Sequence, residues 1–111
     1  MGESEESVQN RELLGYMAQP WRLAKHHNLV PDTVLIDGRF RVASFLFSLL
    51  SARIGTTILF DDYVDRPVYF VVEQSCPLTS LCERMGLFHA AKNFSITEIC
   101  ENIAKYAIEV A

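Results

Sequence analysis

Hydrophobic and polar positions in the middle of the chain follow the order strand, helix, strand. The run Thr33–Ile36 is apolar and rich in β-branched residues, and residues 56–60 form a second run of the same kind; an aspartate follows each. Residues 40–54 between them have helical length and composition, and two parallel strands need a crossover of about a dozen residues or more, which is usually a helix. The pattern therefore predicts a β-α-β unit with carboxylates at both strand ends.

The segment before this unit predicts helices. Residues 1–9 are polar and acidic without periodic apolar positions, and we expect them to be disordered. Helices are expected over 11–18 and 21–27, separated at Pro20 because a residue before proline avoids the helical region. Asn28 is expected to end the second helix.

Three elements are predicted after the unit. Asp65 is a residue type that caps helices, and with Pro67 in the first turn it predicts a helix start. Residues 86–90 are expected to form a strand. Ser95 begins a capping-box sequence, and apolar residues follow at intervals of three and four as far as Ile108, which predicts an amphipathic C-terminal helix.

These elements predict an α/β fold. We expect a partial Rossmann-like, doubly wound three-layer sheet of about three strands with flanking helices. With 111 residues in all, the chain is expected to form a single α/β domain over residues 10–111.

Composition limits the possible partners and locations. No window approaches the roughly 18 uninterrupted apolar residues that cross a bilayer, so no membrane partner and a cytoplasmic location are expected. The net charge of −4 and the scattered basic residues argue against nucleic acid as a partner. Cys76, Cys82 and Cys100 are an odd number at unpatterned spacing, and we expect buried free thiols, with a Cys76–Cys82 disulfide as the alternative.

Three aspartates are candidates for a metal site because of where the predicted strands end. Open α/β sheets bind ligands outside the carboxyl ends of their strands, where Asp37, Asp61 and Asp62 would converge. Carboxylate oxygens suit a hard divalent cation such as Mg²⁺. The alternative is that these aspartates serve as caps and turn residues.

Two arginines follow the first predicted strand, and they also have two interpretations. Arg39 and Arg41 could hold an anionic substrate. They could equally pair with the neighbouring aspartates in a structural ion-pair network.

The two strand ends resemble motifs of a known family. The sequences IDGRFRVA (36–43) and ILFDDYVDRP (58–67) are similar to the fourth and fifth strands of class I S-adenosylmethionine-dependent methyltransferases, and more narrowly to bacterial methyltransferase-like proteins of unassigned substrate. The resemblance covers roughly residues 21–88. It implies a small-molecule substrate, S-adenosylmethionine as cofactor and a Mg²⁺ ion that orients the acceptor hydroxyl.

The same resemblance implies roles for particular residues. The metal ligands would be carboxylates at the strand ends, two of which are also the catalytic candidates, and the substrate would contact side chains beside them. The implied metal ligands are Asp37, Asp61 and Asp62, the catalytic candidates Asp37 and Asp61, and the substrate-binding candidates Arg39, Arg41 and Tyr63.

The resemblance also implies that the cofactor-binding half lies outside this chain. In the family, a Gly-rich loop after the first strand and an acid after the second bind the cofactor, and both precede the region matched here. Only 32 residues precede Thr33, and they contain no glycine-rich turn after a strand. We therefore expect a methyltransferase-like protein that is inactive until a second copy or another chain supplies the cofactor site.

Two further functions are compatible with the pattern. Without a neighbouring strand, Thr33–Ile36 would be an exposed edge, and a non-catalytic interaction or regulatory module could use it. An enzyme that acts on an anionic small molecule through a bound metal, without S-adenosylmethionine, is the third. It ranks last because no nucleophile or general-base pair accompanies the carboxylates.

Overall fold

The structure, a computed structural model, describes the backbone of residues 5–106 and the side chains of residues 15–106. The chain divides into two compact units, residues 1–30 and residues 31–111. A single domain over residues 10–111 stays a prediction.

In the described part of the chain, no helix combines the length and the apolar character needed to cross a lipid bilayer. The cytoplasmic location and the exclusion of nucleic acid stay predictions.

The first unit contains one long helix, α1 (Glu5–His26), where the sequence predicted two short ones. The helix begins inside the segment expected to be disordered, of which residues 1–4 lie outside the described residues, and it continues through Pro20. Proline lacks an N–H donor and costs about 3 kcal/mol in a helix interior. Strong helix formers on both sides, among them Met17 and Leu23, favour the helix in spite of it. The predicted break at Pro20 is therefore wrong.

The predicted helix end at Asn28 is confirmed. Asn28 has a φ of 57°, in the left-handed region that asparagine adopts more readily than most residues. Its N–H donates to the C=O of Lys25 at 3.1 Å, and the N–H of Leu29 donates to the C=O of Ala24 at 2.7 Å. These two bonds form a Schellman motif, which satisfies the last carbonyl groups of α1.

The second unit is built on a mixed sheet of four strands in the order β1-β2-β4-β3. The strands are β1 (Thr33–Ile36), β2 (Thr57–Phe60), β3 (Ser80–Cys82) and β4 (Met85–His89). Strands β1 and β2 are parallel, whereas β4 is antiparallel to β2 and to β3. This open sheet with flanking helices confirms the α/β class and is consistent with a partial Rossmann-like fold.

Strand β3 is an addition to the three predicted strands. It has three residues, all exposed, so it carries no alternation of polar and apolar positions. A two-residue turn, Glu83–Arg84, joins it to β4, and Glu83 supplies the left-handed conformation with a φ of 56°. The turn lacks the glycine or asparagine that marks most tight hairpins, which is why the sequence does not reveal it.

Helix α2 (Arg41–Ser51) is the predicted crossover between the parallel strands. It packs on β1 and β2 and also contacts helix α3 (Ile96–Lys105) and a 3₁₀ helix, Pro67–Gln74. A helix that is apolar almost all round is expected to be buried on more than one side. These contacts confirm that expectation.

Two other helical predictions have different outcomes. The α-helix expected from Asp65 is instead the 3₁₀ helix Pro67–Gln74; Asp65 ends a separate short 3₁₀ helix, and several β-branched valines disfavour an α-helix here. The predicted cap of α3 is confirmed, since Ser95 Oγ accepts a hydrogen bond from the N–H of Glu98 at 3.3 Å. The predicted continuation of α3 to Ile108 lies outside the described residues.

The three cysteines are free, as predicted, but only one of them is buried. Cys76 donates its S–H to the C=O of His89 at 3.3 Å, and burial raises the pKa of its thiol. Cys82 lies on the edge strand β3 and Cys100 on the outer side of α3, so both are exposed and the prediction of buried thiols is wrong for them.

An aromatic cluster fills the core between α2 and the sheet. The rings of Phe45, Phe60, Tyr63 and Phe88 are buried, with centroid distances from 4.7 to 5.9 Å among contacting pairs. Gly86 on β4 makes room for this cluster: a Cβ at this position would lie 2.9 Å from Cγ of Tyr63 and 3.1 Å from Cε1 of Phe88. No real Cβ makes a contact as short as the first of these, so the cluster depends on this glycine.

We expect Gly86→Ala to lower the free energy of unfolding by about 1–3 kcal/mol, because the added methyl group overpacks the aromatic core. Gly15→Ala is the matched control: no described atom lies within 4 Å of a Cβ built there, and alanine in helix α1 should stabilise by up to about 1 kcal/mol. Urea denaturation followed by circular dichroism measures both changes. Equal effects of the two substitutions would show that Tyr63 does not constrain β4.

Candidate functional site

The carboxyl ends of β1 and β2 lie side by side. Ile36 is in register with Phe60, and the N–H of Asp61 donates to the C=O of Ile36 at 2.9 Å. Asp37 and Asp61, the next residue of each strand, therefore begin two neighbouring loops, as the sequence predicted. In open α/β sheets this is the edge at which ligands bind.

Both loops turn through residues in the left-handed conformation. Gly38 and Phe40 have φ values of 78° and 55° before α2, and Asp62 has a φ of 55° before a short 3₁₀ helix, Tyr63–Asp65. For residues other than glycine this conformation costs about 1–2 kcal/mol. Backbone strain of this kind is common at binding sites and persists only where surrounding contacts hold it.

The side chain of Arg41 supplies such contacts, because it joins the two loops. Its Nε donates to the C=O of Gly38 at 3.1 Å, and its Nη1 donates to the C=O of Asp61 at 2.6 Å. The same Nη1 lies 3.7 Å from Oδ2 of Asp62, and the side chain is only 18% exposed. A guanidinium group has five N–H donors in a rigid plane, so one side chain can hold both strand ends.

Asp62 lies between two arginines. Besides Arg41, the Nε of Arg84 is 3.6 Å from Oδ1 of Asp62, and Arg84 also pairs with Asp65. Because Arg84 is in the turn between β3 and β4, this arginine–aspartate network (Arg41, Asp62, Asp65, Arg84) connects the parallel and antiparallel parts of the sheet. Arg84 was not predicted as part of the site, since its approach depends on a hairpin that the sequence does not reveal.

The surroundings of Asp62 bear on the predicted Mg²⁺ site. Among the described residues, no three His, Cys, Asp or Glu side chains are grouped so that they could hold a metal ion. Asp62 already faces two guanidinium groups, whose positive charges repel a divalent cation. The geometry favours the structural alternative for Arg41 and Asp62, and metal binding by Asp37, Asp61 and Asp62 stays an untested prediction.

Asp37 and Arg39 are the exposed charged residues of the first loop. The guanidinium carbon of Arg39 lies 4.7 Å from the centroid of the Phe40 ring, a cation–π contact that orients the arginine. Both residues also take part in further interactions within the chain. They are accessible to a ligand at the carboxyl end of β1, and their catalytic and substrate-binding roles stay predictions.

Tyr63 lies in the core, not at the surface of the site. Its side chain is 1% exposed, and its hydroxyl donates to Oε2 of Glu73 at 2.5 Å. Burial, and then the Glu73 carboxylate, raise the pKa of Tyr63 far above its ordinary value. The structure gives Tyr63 a packing role, since its ring contacts those of Phe60 and Phe70. Its side chain therefore offers almost no exposed surface for the predicted contact with a substrate.

A similar fold occurs in a solved structure, that of a methyltransferase-like protein from Silicibacter pomeroyi DSS-3. The two are 27% identical in sequence with a TM-score of 0.75, and the similarity covers 90% of this chain and 50% of that protein. This chain therefore spans half the length of the protein that it matches. No family model matches the sequence, and no curated protein matches it either. At the coarse level, the chain is similar to a methyltransferase-like protein in sequence and fold.

We expect Arg41→Met to lower the free energy of unfolding by about 2 kcal/mol, because two loop carbonyls lose a charged donor. Arg53→Met is the matched control. Arg53 pairs with Asp32 at 3.8 Å, but these side chains are 70% and 91% exposed, so its loss should change stability by less than about 0.5 kcal/mol. Urea denaturation compares the two variants, and equal losses would contradict a special role of Arg41.

Proposed function

We propose that this chain is the acceptor-binding half of an S-adenosylmethionine-dependent methyltransferase that acts on a small molecule. It becomes active when a second polypeptide contributes the cofactor-binding half. The observation that carries this proposal is the similarity, over 90% of the chain, to a methyltransferase-like protein of which the chain spans half.

The proposal includes a second contributor because residues 31–106 contain no glycine-rich loop of the kind that binds such a cofactor. Glycines at positions 38, 55 and 86 are the only ones between residues 31 and 106, and Gly38 alone follows a strand of the parallel pair. A loop that lets backbone approach a nucleotide-type cofactor usually contains several glycines. The first loop therefore suits an acceptor better than S-adenosylmethionine.

The loops at the carboxyl ends of β1 and β2 would bind the acceptor. S-adenosylmethionine, when bound, supplies an electrophilic methyl group to a nucleophilic oxygen or nitrogen of the acceptor. In this proposal, Asp37 accepts a hydrogen bond from the acceptor hydroxyl or amine, and Arg39 neutralises an acidic group on the acceptor; both residues are exposed. Arg41 holds the two loops in place, so they lose less conformational entropy when the acceptor binds.

A non-catalytic interaction module is the second candidate. It is favoured by the arginine–aspartate network, because Arg41 and Asp62 contact other groups of the protein and so have fewer donors and acceptors to offer a substrate. The two candidates differ in one property: only the first needs S-adenosylmethionine in the assembled complex.

We expect the purified chain alone to give no saturable heat with micromolar S-adenosylmethionine in calorimetric titration. The complex that copurifies with the tagged chain from its own cells should bind the cofactor. In that complex, Asp37→Asn should reduce methyl transfer at least about tenfold, as for the loss of a proton acceptor, with cofactor affinity unchanged. Asp32→Asn, at the other end of β1, is the matched control and should leave transfer unaffected.

Two results would contradict this proposal. Micromolar binding of S-adenosylmethionine by the chain alone would show that it has a cofactor site of its own. A stable complex that does not bind the cofactor would support the interaction module instead.

A further inference from the structure

The loop after β2 depends on contacts from neighbouring elements. It contains the 3₁₀ helix Tyr63–Asp65, and Asp62 before that helix has a left-handed φ of 55°. The N–H of Asp65 donates to the C=O of Asp62 at 3.0 Å and closes the turn. A 3₁₀ turn of three residues has poor hydrogen-bond geometry, and a single turn is costly to form in isolation. Other parts of the chain must therefore keep this turn in place.

The β3–β4 hairpin holds the turn at two places. Tyr63 is buried, and a Cβ built at Gly86 of β4 would lie only 2.9 Å from Cγ of its ring. Two residues earlier, at the tip of the hairpin, Nε of Arg84 lies 3.6 Å from Oδ1 of Asp62, and its Nη2 pairs with Oδ1 of Asp65. Arg84 therefore contacts the residue before the 3₁₀ helix and the residue that ends it.

An arginine suits this arrangement better than a lysine. Its guanidinium group presents several N–H donors in a rigid plane and can reach two carboxylates at once, whereas a lysine ammonium is a compact point charge. The side chains of Arg84, Asp62 and Asp65 are 66%, 41% and 30% exposed. Ion pairs this exposed add little to the free energy of unfolding. We therefore expect Arg84 to affect the position of the turn more than the stability of the fold.

The conformation of Asp62 also sets the direction of a hydrogen bond in the site. Its φ orients the peptide group that joins it to Asp61, and the C=O of this group accepts a hydrogen bond from Nη1 of Arg41 at 2.6 Å. Nε of Arg41 donates to the C=O of Gly38 in the other loop. If Asp62 leaves the left-handed region, the C=O of Asp61 turns away and Arg41 joins the two loops less firmly.

We propose that Arg84 is a positioning residue of the acceptor site. From the tip of the hairpin it holds Asp62 and Asp65, and through Asp62 it preserves the bond between Arg41 and the C=O of Asp61. Arg84 acts on an acceptor only through these residues. This role rests on the proposed function for the identity of the site, but the positioning itself is measurable in the chain without cofactor or acceptor.

The test is NMR spectroscopy of the whole chain and of its Arg84→Gln variant. The substitution removes both ion pairs, so it should shift the amide signals of Asp62 and Asp65 and speed hydrogen exchange of the Asp65 N–H at least about fivefold. The midpoint of urea denaturation should stay unchanged, since exposed ion pairs add little stability. Arg84→Lys keeps the charge without the planar group and should restore part of the protection.

Glu83→Gln is the matched control, because it removes one charge from the same turn and Glu83 does not belong to the arginine–aspartate network. It should leave the signals of Asp62 and Asp65 unchanged. Equal effects of Glu83→Gln and Arg84→Gln, or no restoration in Arg84→Lys, would overturn the proposal. A lowered urea midpoint with shifts throughout the sheet would overturn it too, since this is what the loss of a merely structural residue produces.

The wild-type chain gives a second measurement that needs no substitution. In about 1 M salt the Debye length is about 3 Å, so exposed ion pairs are screened. Salt should therefore move the signals of Asp62 and Asp65 in the wild-type chain and leave them in place in Arg84→Gln. A wild-type chain without this response would contradict the positioning role.

The link to the site is tested in the complex that copurifies with the chain. Arg84→Gln should lower methyl transfer at least about threefold with cofactor affinity unchanged, because small displacements of binding groups are costly in rate, and Arg84→Lys should restore part of the loss. Unchanged transfer would overturn a role of Arg84 in the acceptor site. A complex that does not bind S-adenosylmethionine contradicts the proposed function instead, and the NMR result then decides the positioning role of Arg84 by itself.

Discussion

The guanidinium group of Arg41 holds the carboxyl ends of two parallel strands together, and the geometry of the site depends on it. Each loop after these strands turns through a left-handed residue, Phe40 in one and Asp62 in the other, and neither turn is intrinsically favourable. Arg41 satisfies a carbonyl group in each loop and lies beside Asp62. Arg41 therefore joins the loops in addition to the main-chain bond from Asp61 to Ile36, while Asp37 and Arg39 are the exposed charged residues of the first loop.

Local sequence was sufficient where one residue or a regular period decides the structure. Strand β1, the crossover helix α2, the helix end at Asn28 and the cap at Ser95 were all predicted because each depends on periodicity or on a single capping residue. Pro20 was misread because the helix-forming residues around it outweigh its cost. Strand β3 was missed because its exposed residues and Glu–Arg turn carry no pattern.

The candidate site was predictable in position but not in chemistry. The sequence placed Asp37 and Asp61 at neighbouring strand ends, and the register confirms that placement. Whether Arg41 binds a ligand or other groups of the protein depends on where its side chain points, which only the fold determines. The side chain donates hydrogen bonds to two loop carbonyls, so its role is structural. The chain is similar to a methyltransferase-like protein, of which it spans half, and assembly with a second polypeptide stays a proposal.

The guanidinium group of Arg41 lies beside the carboxylate of Asp62, where it repels a divalent cation. Titration with Mn²⁺, followed by paramagnetic broadening of the backbone amide signals, tests whether this edge of the sheet binds a metal. If Arg41 holds the strand ends, the signals of Asp61 and Asp62 will broaden no more than that of Asp32, an exposed aspartate elsewhere in the chain. Broadening centred on Asp61 and Asp62 that saturates at micromolar Mn²⁺ and disappears in Asp61→Asn would contradict this role of Arg41 and establish a metal site instead.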